Sequence, residues 1–316
     1  MIGFESLRKS MQGASIRGTL AHSHMLVGPD GIGKSPLAEV LARLILRPEA
    51  PDDPRPLIDR MIVGPDGKSI GVDEVRKIIQ ETNARPFEGR RKVIWIRQAD
   101  LLTVQAQNAL LKTIEEPPEG VFFILTTTTS DALLPTIRSR CALHALRPLP
   151  KETMRAYLET VHALNGAPLE EALAISMGIP GRADAFLTDP LFRAKADAAL
   201  SFLAELSAVK SLDDDKALGI LRCSAKIAKE GPEEFIENLL LVLRDVSILK
   251  VSKDVKGLIF LYNMDSMQRL AQRFTMARIQ RIMDVLDSAR RLLAPGRNIN
   301  RETVMDRTMF RLVEET

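Results

Sequence analysis

The chain has 316 residues, 45% of them apolar and 27% charged, with a formal net charge of +3. That length exceeds what one hydrophobic core usually fills, so two or three domains are expected, while the small charge and 4% aromatic content argue against a dedicated nucleic-acid binder built on base stacking. No apolar run of about eighteen residues and no basic-then-apolar leader occurs, which predicts a cytoplasmic protein, and Cys141 and Cys223 are too few for a disulfide framework or a metal site and are expected to be buried, reduced thiols.

Up to about Pro148 the chain alternates apolar runs with helical periodicity. Strands are predicted over 24–27, 93–96 and 121–127, and helices over 72–82 and 103–115, which describes an α/β layer with a mainly parallel sheet. After Leu149-Pro150 β-branched runs become rare and the text reads as helix: 151–164, 169–176, a break at Gly178-Ile179-Pro180-Gly181, then 182–186. Gly231-Pro232-Glu233-Glu234 is a helix start, with proline in the first turn and acids at the positive end of the dipole, leading into 235–250. A final long segment over 266–294 carries Leu270, Phe274, Ala277, Ile282, Leu286, Ala289 and Leu293 at near-helical spacing and is expected to stop at Pro295-Gly296.

The first predicted strand runs into Gly28-Pro29-Asp30-Gly31-Ile32-Gly33-Lys34-Ser35, which satisfies G-x-x-x-x-G-K-[ST] between an apolar run and a helical one. In such a loop Gly28, Gly31 and Gly33 let backbone N–H groups turn toward phosphate, Lys34 neutralises charge and the Ser35 hydroxyl reaches magnesium. A near copy, Gly64-Pro65-Asp66-Gly67-Lys68-Ser69, lacks the interval between the glycines and is expected to be a turn. Pro36 departs from the usual loop because proline has no N–H to give to an inner phosphate. Losing one hydrogen bond to a charged acceptor should weaken nucleotide binding by about tenfold or more.

A phosphate loop normally works with a second strand whose end presents acids to magnesium and water. Here the strand over 93–96 ends in Arg97-Gln98, a cation and an amide. Gln98 cannot accept a proton from attacking water, so hydrolysis is expected to be absent or very slow. The alternative carboxylates are Asp100, three residues late, and Glu115-Glu116, after a helix.

The run Gln107-Asn108-Ala109-Leu110-Leu111-Lys112-Thr113-Ile114-Glu115-Glu116-Pro117-Pro118, followed by Leu134-Pro135-Thr136-Ile137-Arg138-Ser139-Arg140-Cys141, resembles the signature of bacterial AAA+ clamp-loader subunits of DNA polymerase III, most closely the delta-prime type. The resemblance covers residues 2–150 well and continues loosely through Gly181-Arg182 to Asn298-Ile299-Asn300-Arg301. It implies a P-loop domain with a parallel sheet over 1–149, a small helical lid over 150–192 and a helical collar over 193–316. It also implies a heteropentamer with gamma/tau-like and delta-like subunits that places a sliding clamp on primer-template DNA during replication, as a non-catalytic part of a polymerase holoenzyme. Delta-prime relatives commonly lack the strand-end acids, and Arg97-Gln98 fits that group.

On the same resemblance, Arg140 matches an arginine finger that reaches a neighbouring subunit's ATP, with Arg138 a lesser helper. Thr127, in the Thr-rich run 126–129, stands where a polar sensor of the γ-phosphate would sit, with Thr128 beside it. Arg182 matches the second sensor. Many relatives hold zinc by four cysteines after the loop helix; residues 47–71 contain none, so zinc is not expected, and ATP or ADP would bind weakly, with magnesium only alongside nucleotide. The rival readings are a self-sufficient clamp-loader ATPase using Asp100 or Glu115, a nucleotide kinase, whose second-substrate arginines and lid are not evident, and a structural DNA-binding protein.

Overall fold

Apolar strands and amphipathic helices alternate through the first half of the chain, seen in a computed structural model that describes residues 4–67, 69–211, 213–252, 258–293 and 299–315. Contacts divide the chain into two units: Met1–Tyr157 with Gly178–Gly181, and Leu158–Met177 with Arg182–Thr316.

In the first unit α1 (Glu5–Ile16) is followed by β1 (Ser23–Val27), α2 (Lys34–Leu46), β2 (Arg60–Val63), α3 (Val72–Asn83), β3 (Lys92–Ile96), α4 (Val104–Glu115), β4 (Val121–Thr127), α5 (Pro135–Arg140) and β5 (Ala142–Ala145). The sheet order is β2-β3-β4-β1-β5 and every pairing is parallel. Met25, Ile94, Ile96, Phe123 and Leu125 pack on one side with residues of α3 and α4. Leu26, Val93, Trp95, Phe122 and Ile124 pack on the other with Leu37 and Leu41 of α2. Burial on both faces explains why the central strands read as unbroken apolar runs. Because β1 and β3 both pair with β4 in parallel, the carboxyl ends of all three open on one edge, where ligands of open parallel sheets bind.

The expected strands and helices of this unit are found within one or two residues of their predicted limits. β2 and β5 were not foreseen. Both are four-residue edge strands, and edges carry fewer buried apolar positions. The near copy of the phosphate loop is irregular, with Gly67 at φ 88°; its Lys68 lies outside the described residues.

The helices that follow are α6 (Lys151–His162), α7 (Gly166–Ser176), α8 (Pro180–Thr188), α9 (Pro190–Leu206), α10 (Asp215–Arg222), α11 (Ser224–Glu230), α12 (Pro232–Val251), α13 (Met264–Arg273), α14 (Met276–Leu292) and α15 (Arg301–Glu314). In the second unit α12 packs against α9, α13 and α14. Its wholly buried Asp245 accepts hydrogen bonds from Ile259 N at 2.6 Å and Phe260 N at 2.9 Å.

The single segment expected over 266–294 is two helices. Phe274 is extended and buried, and Thr275 caps α14 by accepting from Arg278 N at 3.2 Å. The three-to-four-residue apolar spacing runs straight through this junction, so periodicity alone could not reveal it. Pro295-Gly296 and Asn298 lie outside the described residues; Asn300 caps α15. Among the described residues no helix is long and apolar enough to cross a membrane, and no group of three or more His, Cys, Asp or Glu is placed to hold a metal.

Candidate nucleotide-phosphate site and exposed arginine

The loop 28–35 leaves β1 at the open edge of the sheet, and its N-terminal glycine is pinned: Gly28 N donates to Thr127 O at 3.2 Å, and a Cβ at Gly28 would stand 2.7 Å from Leu146 O. Gly31 and Gly33 have φ of 78° and 106°, in the left-handed region that glycine adopts freely. The turn 178–181 backs the loop. Gly181 N donates to Gly31 O at 2.9 Å, and a Cβ at Gly181 would lie 2.6 Å from Gly31 Cα. Sequence reasoning saw 178–181 only as a helix break and missed this packing, because the two glycine pairs are far apart in the chain.

Lys34 Nζ donates to Gly28 O at 2.6 Å, Pro29 O at 3.0 Å and Asp30 Oδ1 at 3.1 Å. Ser35 and Pro36 are exposed in the first turn of α2. The helix ladder starts at Leu37 N to Gly33 O, so Pro36 breaks no helical bond and removes only a donor that would face an anion.

The neighbouring strand ends offer little to a divalent cation. Arg97 and Gln98 are exposed after β3, and Gln98 at φ 50° turns the chain into a short 3-10 turn, Ala99–Leu101. That turn tucks Asp100 inward. It is 3% exposed, its Oδ2 accepts from Thr128 Oγ1 at 2.7 Å, and its Oδ1 is buried without a partner. Thr126 Oγ1 faces Trp95 Nε1 at 3.3 Å, and Thr127, 1% exposed, donates to Thr129 O at 2.7 Å. The hydroxyls of the threonine run are thus engaged within the chain. Of the donors that hold magnesium beside a phosphate loop, the Ser35 hydroxyl alone is open among the described residues, and Arg97 brings positive charge to the place of the acid; the residues present do not fit the metal.

The helix carrying Arg140 is held by a residue that the sequence reading passed over. Gln107, 2% exposed on α4, donates from Nε2 to Leu102 O and Ala132 O, each at 3.1 Å, and accepts from Leu134 N at 2.7 Å. Three satisfied bonds fix the segment before α5, and Pro135 starts the helix with its φ preset. Buried Ile137 anchors α5 on the core and Cys141 packs beside it, where burial pushes the thiol up to about 12. Both thiols are half-buried rather than fully enclosed. Arg138 donates to Asp131 Oδ1 at 2.8 Å. Arg140, by contrast, has a side chain 55% exposed whose Nε is 3.9 Å from Glu115 Oε1, a loose surface pairing worth little.

Arg182 belongs to the other unit, half-buried on α8, and donates to Met177 Sδ at 3.6 Å. Burial weakens its hold on its proton, with Glu237 acting the other way.

Residues 4–150 match the family described as DNA polymerase III, delta subunit, and residues 201–314 match DNA polymerase III, delta subunit, C terminal. The chain belongs to the clamp-loader family of DNA polymerase III subunits. Within that family it is similar to DNA polymerase III subunit delta' of Escherichia coli, at 43% identity over 36% of this chain and 34% of that protein. It is also similar to subunit gamma/tau of Mycobacterium bovis, at 28% identity over 91% of this chain and 56% of that protein. The chain therefore spans about half the length of the gamma/tau relatives. A DNA polymerase III gamma subunit-related protein from Thermotoga maritima shares the fold, with a TM-score of 0.50 at 20% identity and 99% coverage of each chain.

Proposed function

We propose that this chain acts as the delta-prime-like subunit of a DNA polymerase III clamp loader: it hydrolyses no ATP itself and supplies Arg140 in trans to the active site of a neighbouring ATPase subunit. The observation that carries this is the asymmetry between the end of β3, at the carboxyl edge of the sheet, and the end of α5, just before β5 begins. Where β3 ends there is an exposed cation, and the carboxylate that follows it, Asp100, is buried; at the end of α5, Arg140 reaches solvent while Arg138 is paired with Asp131. An arginine delivered to a phosphoryl group in transfer stabilises its developing charge and is worth about 10³–10⁵ in rate.

The partners in this reading are gamma/tau-like and delta-like subunits in a heteropentamer, the sliding clamp, and primer-template DNA reached through the complex. The loop 28–35 keeps weak affinity for ATP or ADP, and Thr127 and Arg182, which match the sensor positions, retain structural roles. The chain is organised as a P-loop domain over 1–149, a lid over 150–192 and a collar over 193–316. The rival, an ATPase subunit using Asp100 or Glu115, is disfavoured: Asp100 is buried under Thr128, and Glu115 lies at the end of α4 beside Arg140.

The test is reconstitution with the ATPase subunits of the same source. Arg140→Ala should leave assembly unchanged and lower the DNA- and clamp-stimulated ATPase rate by at least tenfold; an unchanged rate at equal assembly, or brisk hydrolysis by this chain alone, would sink the proposal.

A further inference from the structure

We propose that the loop 28–35 takes nucleotide phosphates without magnesium, with Arg97 supplying the positive charge that the ion would bring; this rests on the reading of that loop as a nucleotide site. A metal ion beside a phosphate loop needs a hydroxyl and a carboxylate. The chain offers Ser35, but the carboxylate nearest in sequence to the strand end, Asp100, is buried with one oxygen held by Thr128.

Arg97 is well placed to act instead. Val93 and Trp95 lie in the core cluster that contains Leu37 and Leu41 of the loop's own helix, so side-chain alternation directs Arg97 to the same side of the sheet. Its backbone is held, with N–H donating to Val63 O at 2.7 Å, while its side chain is exposed and makes no ion pair among the described residues. Ile96 is in register with Leu125, and Leu125 with Met25, so Arg97 stands level with Leu26, just short of Gly28. Two strand spacings, about 10 Å, separate the two chains there, a gap that a long side chain and a polyphosphate span together. The other cation at the site, Lys34, already faces Asp30.

A guanidinium fixed at this point has two effects. It neutralises phosphate charge through forked hydrogen bonds, and it repels a divalent cation from the position between phosphate and strand end. Magnesium, which binds free nucleotide in solution, then competes with Arg97 for the same phosphate oxygens.

The experiment is calorimetric titration of the purified full chain with ADP, and separately with inorganic pyrophosphate, in EDTA and in excess magnesium. The expected result is binding in EDTA at least as tight as in magnesium, lost in Lys34→Ala. Arg97→Asp should weaken metal-free binding about tenfold and make magnesium tighten it; Arg97→Gln should give the first effect without the second, and thermal melting confirms that each variant folds. Wild-type binding tenfold tighter with magnesium, or an Arg97→Asp variant indifferent to it, would overturn the inference. Absence of binding under both conditions would overturn it together with the nucleotide reading of the loop, leaving the trans role of Arg140 standing.

Discussion

Thr128 Oγ1 donates to Asp100 Oδ2 at 2.7 Å, tying the end of β4 to the turn after β3 and closing off the carboxylate that follows that strand. Asp100 is inside the protein, with its second oxygen unpartnered, so the hydroxyl of Thr128 is what makes its burial tolerable. Thr128→Val should therefore destabilise the protein by about 2–3 kcal/mol, read as a lower urea midpoint with an unchanged slope. Full native stability in that variant would show that the bond is incidental.

The stretch before α5 depends on Gln107 in a similar way. Replacing it by Leu keeps the volume roughly constant but strands Leu102 O, Ala132 O and Leu134 N, a loss of about 3 kcal/mol. The same substitution should lower the trans ATPase stimulation of assembled complexes, because the helix that presents Arg140 loses its anchor. Stability that drops while stimulation stays at the wild-type level would assign Gln107 to packing alone.

The two arginines of α5 are predicted to separate cleanly. Arg138→Ala breaks a half-exposed pair with Asp131 and should change stability by less than about 1 kcal/mol, with little effect on the ATPase rate of the complex. Arg140→Lys keeps the charge but not the planar fork, so most of the rate loss seen with Ala should persist. Equal effects of the two positions on rate would contradict the assignment.

Pro36→Thr restores a backbone N–H to the first turn of α2 without breaking its ladder, which starts at Leu37. ADP should bind about tenfold more tightly to that variant, the equivalent of about 1.5 kcal/mol or more for a bond to a charged acceptor. Calorimetry that finds no tightening would show that the missing donor does not limit affinity.

A pH dependence follows from His24, buried on β1 with Nδ1 3.0 Å from His144 Nε2. Burial, helped by the neighbouring His144, lowers its pKa from 6.5 to about 4. Between those values the unfolded chain binds more protons than the native one, so stability present above pH 6.5 declines as the pH falls toward 4. The loss attributable to this residue is about 3 kcal/mol at the lower limit. Urea melts across that range should show a shallower decline in His24→Leu than in the wild type; parallel curves would exclude the histidine as the cause.

Much of the first unit was legible because its signals are local. Three central strands announced themselves as apolar runs, and the phosphate loop by the spacing of three glycines, a lysine and a serine. The edge strands β2 and β5 were not, since burial on fewer sides leaves no such pattern. The break at Phe274-Thr275 escaped because a capping threonine interrupted the helix without disturbing its apolar spacing.

From the sequence alone came the chemical inventory of the site: which residue types stand in the loop, that Arg97 and Gln98 replace the acids, and that Arg140 stands in the Ser139-Arg140-Cys141 triplet beyond the threonine run. Only the tertiary structure decided which of those groups are open to a ligand. Asp100 is closed by Thr128, the loop is backed by Gly181, and the helix of Arg140 is anchored by Gln107. Each of these contacts joins segments separated along the chain. Hydrogen bonding and exclusion of water depend on distance in space, which residue spacing along one strand or helix does not record.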